Sequence, residues 1–259
     1  MKSKCLILLA IMALAGFPPQ SKADVLGSAD SFAVLGGSTV TSTGNTILNG
    51  NLGLSPGTAI TGFFSIDGGP GIMNGTIYNT EAVAATAQAD ALAAYKSLTN
   101  EPVNSNLTGQ DLGTLILTPG VYKYNSSAQL TGALTLSGDG LFVFLIGSTL
   151  TTASSSSVLL INGAQAGNVF WLVGSSATLG TGTSFDGSIL ADASITLNTG
   201  ASMDGRALAL NAAVTLDDNV ITVPTEVPEP GSLWLLAFCA SVFGAGHRLT
   251  VWRRKAGRS

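Results

Sequence analysis

The chain has 259 residues, of which 46% are hydrophobic and only 10% are charged, and its formal net charge is −4. Between residues 24 and 226, three basic residues stand against fourteen acidic ones, which excludes a nucleic-acid ligand because phosphate binding needs clustered Lys and Arg. Both cysteines and the single histidine lie outside this segment, so it offers no disulfide, no thiol chemistry and no Ser-His-Asp set.

The N-terminal residues have the layout of an export signal. Lys2 and Lys4 precede an apolar run over residues 5–17, and Ser21-Lys22-Ala23 has the small-x-small form of a signal peptidase site. We therefore predict a signal peptide over residues 1–23 and one mature domain over residues 24–226. An N-terminal transmembrane helix is the less favoured alternative, because the run is shorter than the roughly 20 residues of a span.

Residues 80–98 interrupt an otherwise strand-like sequence. They contain eight alanines between Ala82 and Ala94 and neither Gly nor Pro, and Ala is the best helix former. One stripe at helical spacing comprises Ala84, Ala87, Ala91, Ala94, Tyr95 and Leu98. The pattern predicts a helix of about 28 Å whose alanine side lies close against a sheet.

The second half of the domain repeats. Thr-Leu pairs begin at Thr149, Thr178, Thr196 and Thr215, with spacings of 29, 18 and 19 residues. Short β-branched and aliphatic runs punctuated by Gly, Asn and Asp indicate strands and tight corners. Eighteen residues are too few for a βαβ unit but suffice for one turn of a three-sided β-solenoid. Residues 39–50 follow the same pattern and predict a further coil, separated in sequence from the others.

A four-residue phrase of the form Thr-(Ala or Gly)-x-Ser recurs beside these pairs. It reads Thr152-Ala153-Ser154-Ser155, Thr181-Gly182-Thr183-Ser184 and Thr199-Gly200-Ala201-Ser202, and a related phrase is Thr43-Gly44-Asn45-Thr46. Stacked strands repeat about every 4.8 Å and alternate residues about every 6.7 Å, so such phrases predict a grid of short hydroxyl and methyl groups. They are also ordinary exposed residues of a β-solenoid.

The C-terminal residues, 227–259, have the layout of a sorting signal. Pro228-Glu229-Pro230 precedes an apolar stretch over residues 232–246 and a basic end. This order resembles the PEP-CTERM signal of Gram-negative bacteria. The resemblance implies recognition by an exosortase, an intermediate anchored in the inner membrane by the C-terminal helix, and final placement at the cell surface or in the extracellular matrix.

Several stretches between Leu26 and Val223 resemble the microbial ice-binding protein family. The most telling are Phe32-Ala33-Val34-Leu35, Leu117-Thr118-Pro119-Gly120-Val121-Tyr122 and Asn168-Val169-Phe170-Trp171. The resemblance implies a mainly β fold, a discontinuous right-handed three-sided β-solenoid with one long helix alongside. It also implies adsorption to ice through a flat face of stacked threonine phrases. The ice-binding candidates are Thr152, Ser155, Thr181, Thr183, Ser184, Thr199, Ser202, Thr43 and Thr46.

Two other functions stay open at this stage. One is a structural or adhesive surface module, which the sorting signal suits equally well. The other is a carbohydrate-active enzyme, in which Asp186 and Asp204 would serve as acid and base. Each of these residues stands in an Asp-Gly pair typical of a corner, so we predict no catalytic residue. The domain sequence shows no metal-ligand cluster and no phosphate loop, so we predict no metal and no cofactor.

Overall fold

The protein consists mainly of short parallel strands with one long helix, as described over residues 23–225 by a computed structural model. The predicted signal peptide and the sorting motif Pro228, Glu229 and Pro230 lie outside the described residues. The helices are α1 (Ala23–Leu26), α2 (Phe64–Asp67) and α3 (Ala82–Thr99), with 3-10 segments at Gly27–Ser31 and Ala166–Asn168. Within residues 23–225, no helix is both long enough and apolar enough to cross a membrane.

The strands are three to eight residues long in most cases, with a few two-residue pairs. In chain order they are β1 (Phe32–Gly36), β2 (Thr39–Thr43), β3 (Ile47–Asn49), β4 (Asn51–Leu54), β5 (Ala59–Thr61), β6 (Ile72–Met73), β7 (Ile77–Asn79), β8 (Ser105–Asn106), β9 (Ile116–Leu117), β10 (Gly120–Tyr124), β11 (Ala128–Leu130), β12 (Ala133–Ser137), β13 (Phe142–Ile146), β14 (Leu150–Thr152), β15 (Ser157–Ile161), β16 (Val169–Val173), β17 (Ala177–Leu179), β18 (Ser184–Ala191), β19 (Ile195–Leu197), β20 (Ser202–Ala209), β21 (Val214–Asp217) and β22 (Val220–Thr222).

Successive passages of the chain, which we call coils, place these strands in three stacks of parallel strands. The helix-side stack runs β8-β10-β13-β16-β18-β20-β1-β4-β7, and the third stack runs β9-β12-β15-β18-β20-β22-β3-β6. Because β18 and β20 are eight residues long, each belongs to both, and the two stacks form one 15-stranded sheet. The remaining stack is a separate seven-stranded sheet in the order β11-β14-β17-β19-β21-β2-β5.

The spatial order of the coils differs from their order in the chain. The first coil, β1 to β3, lies directly beside the last, β20 to β22, with Val34 opposite Ala207, Val40 opposite Val214 and Ile47 opposite Val220. The second coil, β4 to β6, stacks on the first. The coil predicted around residues 39–50 therefore exists, and it continues the repeat from the C-terminal side.

Helix α3 covers the helix-side stack through its alanines. The predicted helix over residues 80–98 is confirmed at Ala82–Thr99. Its buried side comprises Ala84, Ala87, Ala91, Ala94 and Leu98. These small side chains contact large ones on the strands, among them Val143, Phe170, Leu190 and Leu208. A methyl group in place of a longer side chain lets the helix axis approach the sheet closely, which is why alanine occupies the contact positions.

The interior between the three stacks is filled by large apolar side chains. Four aromatic rings from successive coils, Tyr122, Phe144, Trp171 and Phe185, lie one above another, with 3.9 Å between the ring centroids of Phe144 and Trp171. The indole of Trp171 donates a hydrogen bond to the backbone oxygen of Asp186 at 3.1 Å. Trp171 is fully buried and belongs to the core.

Arg206 is buried and holds the N-terminal 3-10 segment against the strands. Its guanidinium lies 2.7 Å from a carboxylate oxygen of Asp30 and donates a hydrogen bond to the hydroxyl of Ser188. Its Nε also donates to the backbone oxygen of Asp30 at 2.6 Å. Asp30 lies 176 residues earlier in the chain than Arg206, so this contact joins the two ends of the domain.

The close contact between α3 and the strands gives a direct test of the packing. Replacing Ala91, which is fully buried, with Leu forces three extra carbon atoms into a closed interface, and we expect it to lower the free energy of unfolding by about 1–3 kcal/mol. The matched control, Ala89→Leu, changes an exposed position of the same helix and should alter it by no more than about 0.5 kcal/mol. Equal losses in urea unfolding would contradict this packing.

Candidate functional site

The seven-stranded sheet turns one side to the interior and the other to solvent. In its strands, buried aliphatic residues alternate with outward-pointing ones, as for Ile195, Thr196 and Leu197 in β19. At one level across the sheet, the outward position of every strand but one is threonine. These residues form what we call the threonine row, which comprises Thr151, Thr178, Thr196, Thr215, Thr41 and Thr61.

Members of the threonine row stand directly opposite one another in neighbouring strands. Thr178 pairs with Thr196, Thr196 with Thr215, and Thr215 with Thr41, without a register shift between them. Parallel pairing then sets the distance between successive threonines at about 4.8 Å. Gln129 of β11 continues the row at one end, opposite Thr151. The row therefore crosses the whole width of the sheet.

A second line of small side chains lies two residues before the threonine row. Backbone hydrogen bonds fix its register, for example from Ala177 to the oxygen of Ser194 and from Ile195 to the oxygen of Ala213. We call it the edge row, and it comprises Ser127, Thr149, Ser176, Ser194, Ala213, Thr39 and Ala59. None of these side chains is charged or larger than threonine, so the surface of the sheet is flat along this edge.

A third line of side chains follows the corner where the sheet meets the third stack. Backbone bonds run from Ser155 to the oxygen of Thr181, from Gly182 to Thr199, from Gly200 to Asp217 and from Asp218 to Thr43. The corner row therefore comprises Ser154, Thr181, Thr199, Asp217 and Thr43. The residue after each has a positive φ between +51° and +73°, which turns the chain at the same point in every coil. Glycine fills three of these five positions because it adopts that conformation freely.

Six of the nine predicted side chains reach the surface at or near this corner. Thr43, Thr181 and Thr199 belong to the corner row, and Ser155 is the exposed turning residue after it. Ser184 and Ser202 face each other in neighbouring strands of the third stack. The structure therefore brings the first four together on one edge and places the two serines on the adjoining stack.

The other three predicted side chains, Thr152, Thr183 and Thr46, are a correction to the sequence-based set. They are 3%, 0% and 0% exposed, and no surface ligand can contact them. The hydroxyls of Thr152 and Thr183 lie 2.8 Å apart inside the corner, and that of Thr46 accepts a hydrogen bond from the backbone of Asn219.

The error arose from register. The Thr-Leu alignment equated Thr149 with Thr178, whereas the strands pair Thr151 with Thr178, a difference of two residues. The true counterpart of Thr181 in that coil is Ser154, so Thr152 falls at an inward position. In the first coil, three residues lie between Thr43 and Ile47, whereas two lie between Asp217 and Val220, the partner of Ile47. The additional residue turns Thr46 inward.

The threonine row itself was missed as a site, although its signal was present. The Thr-Leu pairs marked the repeat, and three of their four threonines, Thr178, Thr196 and Thr215, stand between two apolar residues, which is the pattern of an outward position on a half-buried strand. The site was predicted instead at the Thr-(Ala or Gly)-x-Ser phrases, because these recur together with glycine. Thr41 and Thr61 had no Thr-Leu pair to reveal them.

Asp186 and Asp204, the alternative enzymatic pair, face each other in neighbouring strands where β18 and β20 pass from the third stack to the helix-side stack. Burial, with a further contribution from the charge of Asp204, raises the pKa of Asp186 to about 6. Burial also raises the pKa of Asp204, although the nearby Arg206 opposes the shift. Within residues 23–225, no three His, Cys, Asp or Glu side chains are grouped in a way that could hold a metal ion.

The fold and the threonine row define the class of protein, a stack of parallel β coils that presents an ordered sheet of small hydroxyl side chains. A family model described as ice-binding-like matches residues 34–222. The chain is 54% identical to an ice-binding protein of Nostoc sp. (strain HG1), over 88% of this chain and 89% of that protein.

Solved structures of ice-binding proteins have the same fold. One from an Antarctic biological consortium matches with a TM-score of 0.73 at 46% identity, covering 77% of this chain and 90% of that one. Another, from the ascomycete Antarctomyces psychrotrophicus, matches with a TM-score of 0.73 at 41% identity, covering 78% and 98%. The chain belongs to the ice-binding-like family.

The buried pair of hydroxyls predicts a difference between two threonines of the same coil, Thr183 and Thr178. Thr183→Val removes the partner of the Thr152 hydroxyl in a closed space, and we expect the free energy of unfolding to fall by about 1–3 kcal/mol. Thr178→Val, on the outward side of β17, should change it by about 0.5 kcal/mol or less. Chemical denaturation of both variants checks this. A Thr183→Val protein as stable as the parent would contradict a structural role for this hydroxyl.

The raised pKa of Asp186 predicts a dependence of stability on pH. Because the folded protein holds this proton more tightly than the unfolded chain, its stability should fall as the pH rises from about 4 through 6. Asp186→Asn should remove this dependence and stabilise the protein by about 1–2 kcal/mol at pH 7.5, less than the full shift would give because water reaches part of the carboxyl. The measurement is urea unfolding at pH 4.5 and 7.5, with exposed Asp139→Asn as the control. Parallel pH profiles for the parent and Asp186→Asn would contradict it.

Proposed function

We propose that the protein adsorbs to ice through the outward side of the seven-stranded sheet. The observation that supports this is the threonine row, six side chains that carry both a methyl and a hydroxyl group and stand in register at about 4.8 Å intervals. Strands β14, β17, β19, β21 and β2 pair with a neighbour on both sides, and β5 at the end of the sheet pairs with β2, which holds these groups in place. A rigid array of this kind can order the adjoining water layer without any bond-making step.

The edge row and the corner row extend the proposed ice face on either side. With the threonine row they give three lines of side chains, and outward positions along a strand lie about 6.7 Å apart. In the strands of the sheet the one charged residue is Asp217. Of the sequence-based candidates, Thr43, Thr181 and Thr199 belong to this face, and Ser155 borders it. Ser184 and Ser202 lie beyond the corner and would contact ice only at its margin.

The proposal includes the finer geometry of the fold. We infer a three-sided β-solenoid, because from β10 onward consecutive strands visit the three stacks in the same order. We infer that it is right-handed, because crossover connections between parallel strands are almost always right-handed. In that arrangement α3 covers the helix-side stack and not the seven-stranded sheet, since the buried side of α3 contacts the helix-side strands.

A non-enzymatic adhesive role is the second candidate. It is favoured by aliphatic side chains exposed on the third stack, which include Ile116 at 71%, Ile72 at 51% and Leu159 at 46%. The carbohydrate-active alternative is disfavoured. Asp186, which is half-buried, and Asp204, which is exposed, lie at a corner where Gly187 and Gly205 turn the chain, as their Asp-Gly pairs predicted. Desolvation at this structural position raises both pKa values.

We further propose that the protein acts outside the cytoplasm. The predicted signal peptide over residues 1–23 supports export. The Pro-Glu-Pro motif, apolar stretch and basic end of residues 227–259 support recognition by an exosortase and a membrane-anchored intermediate. Ice-face activity at the cell surface or in the matrix would hold cells to ice or inhibit recrystallisation around them.

A bulky side chain in the threonine row provides the test. Thr196→Tyr should abolish or strongly reduce thermal hysteresis and inhibition of ice recrystallisation, because the ring lifts ice away from the neighbouring threonines. Its melting temperature should stay close to that of the parent, since exposed changes usually alter stability by only about 0.5 kcal/mol.

The matched control is Thr135→Tyr, the same substitution at an outward position of β12 in the third stack. It should keep full ice activity. Full activity of Thr196→Tyr at an unchanged melting temperature would exclude the seven-stranded sheet as the ice face. A parent protein without ice activity would favour the adhesive role.

A further inference from the structure

Asp217 occupies a position in the corner row where each of the other four residues carries a hydroxyl group. It is the last residue of β21 and lies between Thr199 of one neighbouring coil and Thr43 of the other. The hydroxyl of Thr43 donates to its Oδ1 at 2.9 Å, and the hydroxyl of Thr199 donates to its Oδ2. One carboxylate thus bridges three coils through its two oxygens.

These contacts are selective for this aspartate. The backbone oxygen of Leu216, at 3.4 Å from the Thr43 hydroxyl, is a longer and weaker second acceptor. The next residue, Asp218, is exposed and accepts a hydrogen bond from the backbone of Asn45 instead. The two threonine hydroxyls, with Thr199 contributing more than Thr43, also lower the pKa of Asp217, as expected for a carboxylate that accepts hydrogen bonds in its charged form.

We propose that Asp217 is a positioning residue of the ice face. Its carboxylate orders this face by fixing the direction in which the hydroxyl groups of Thr199 and Thr43 point. This inference rests on the proposed function of the seven-stranded sheet. Asp217 contributes to that function in a second way, because it acts through its two neighbours rather than by matching ice itself.

The physical reason is preorganisation. An exposed threonine hydroxyl and methyl can exchange places by rotation about χ1. When binding to ice stops this rotation, the lost side-chain entropy reduces the free energy gained on binding. Hydrogen bonds to a charged acceptor are roughly twice as strong as neutral ones. Once both hydroxyl hydrogens point to Asp217, the methyl groups of Thr199 and Thr43 are held in one direction before ice arrives.

A competing account gives the opposite expectation. A carboxylate is strongly hydrated, and a charge at the edge of an ice face could oppose the growth of an ice-like water layer. On that account the removal of the charge would raise activity, whichever residue replaced it. The two accounts therefore predict different ice activities for variants that all lack the charge but carry different side chains at position 217.

Four variants of the full-length protein at neutral pH distinguish them. Asp217→Ala removes both acceptors, and Asp217→Thr replaces the two carboxylate oxygens with one uncharged hydroxyl. Asp217→Asn keeps one acceptor oxygen and offers an amide donor to the other threonine. Asp218→Asn removes the same charge one residue away and leaves the bridge intact. The readouts are the lowest protein concentration that arrests ice recrystallisation, the melting temperature, and NMR detection of the Thr43 and Thr199 hydroxyl protons.

We expect the Ala and Thr variants to need about three to ten times more protein to arrest recrystallisation, in keeping with the loss of two charge-assisted hydrogen bonds. The Asn variants at both positions should stay within about twofold of the parent. The hydroxyl protons of Thr43 and Thr199 should exchange slowly in the parent and rapidly in Asp217→Ala, in the absence of ice.

Activity of Asp217→Ala or Asp217→Thr equal to or above that of the parent would overturn the inference, as would fast hydroxyl exchange in the parent. Failure of the proposed function is distinguishable, because it would appear as an inactive parent or an active Thr196→Tyr variant. If Asp217→Ala proves less stable, rescue by Asp217→Asn with recovery of one slow hydroxyl proton, that of the threonine that still donates to the amide oxygen, supports the bridge, and an Asn variant as weak as the Ala variant contradicts it.

Discussion

Parallel, in-register pairing between coils is the constraint on which the rest of the structure depends. It places chemically equivalent residues directly above one another, so any residue type that recurs once per coil becomes a continuous line. On the inward side this rule produces the stack of Tyr122, Phe144, Trp171 and Phe185. On the outward side the same rule produces the threonine row. The core and the proposed ice face are therefore two consequences of one pairing pattern.

The spatial order of the coils extends this register across both parts of the chain. The first coil pairs with the last. Strands β2 and β5 therefore complete the seven-stranded sheet beside β21, which comes from the C-terminal part of the domain. Arg206 ties Asp30 to the last coils, and α3 covers strands from both parts of the chain. These long-range contacts join the N-terminal and C-terminal coils into one sheet, and Thr41 and Thr61 thereby extend the line begun by Thr151.

The sequence predicted the elements that depend on local pattern. Alanine spacing predicted α3 almost to the residue, and the 18-residue interval predicted the coils, because both signals lie within a short stretch of chain. It could not predict register across irregular coils. The excursion around Ala166–Asn168 shifts the alignment by two residues, and one additional residue before Ile47 turns Thr46 inward. The bridge from Thr199 through Asp217 to Thr43 was equally hidden, since its members lie 18 and 174 residues apart.

The central claim is that ice contacts the outward side of the seven-stranded sheet. Solid-state NMR of the protein frozen in water tests this most directly, by measuring magnetisation transfer from ice protons to individual threonine methyl groups. The account predicts strong transfer to Thr151, Thr178, Thr196 and Thr215, and weak transfer to Thr135 on the third stack and Thr86 on α3. Transfer that favours Thr135 or Thr86 over the threonine row would contradict it.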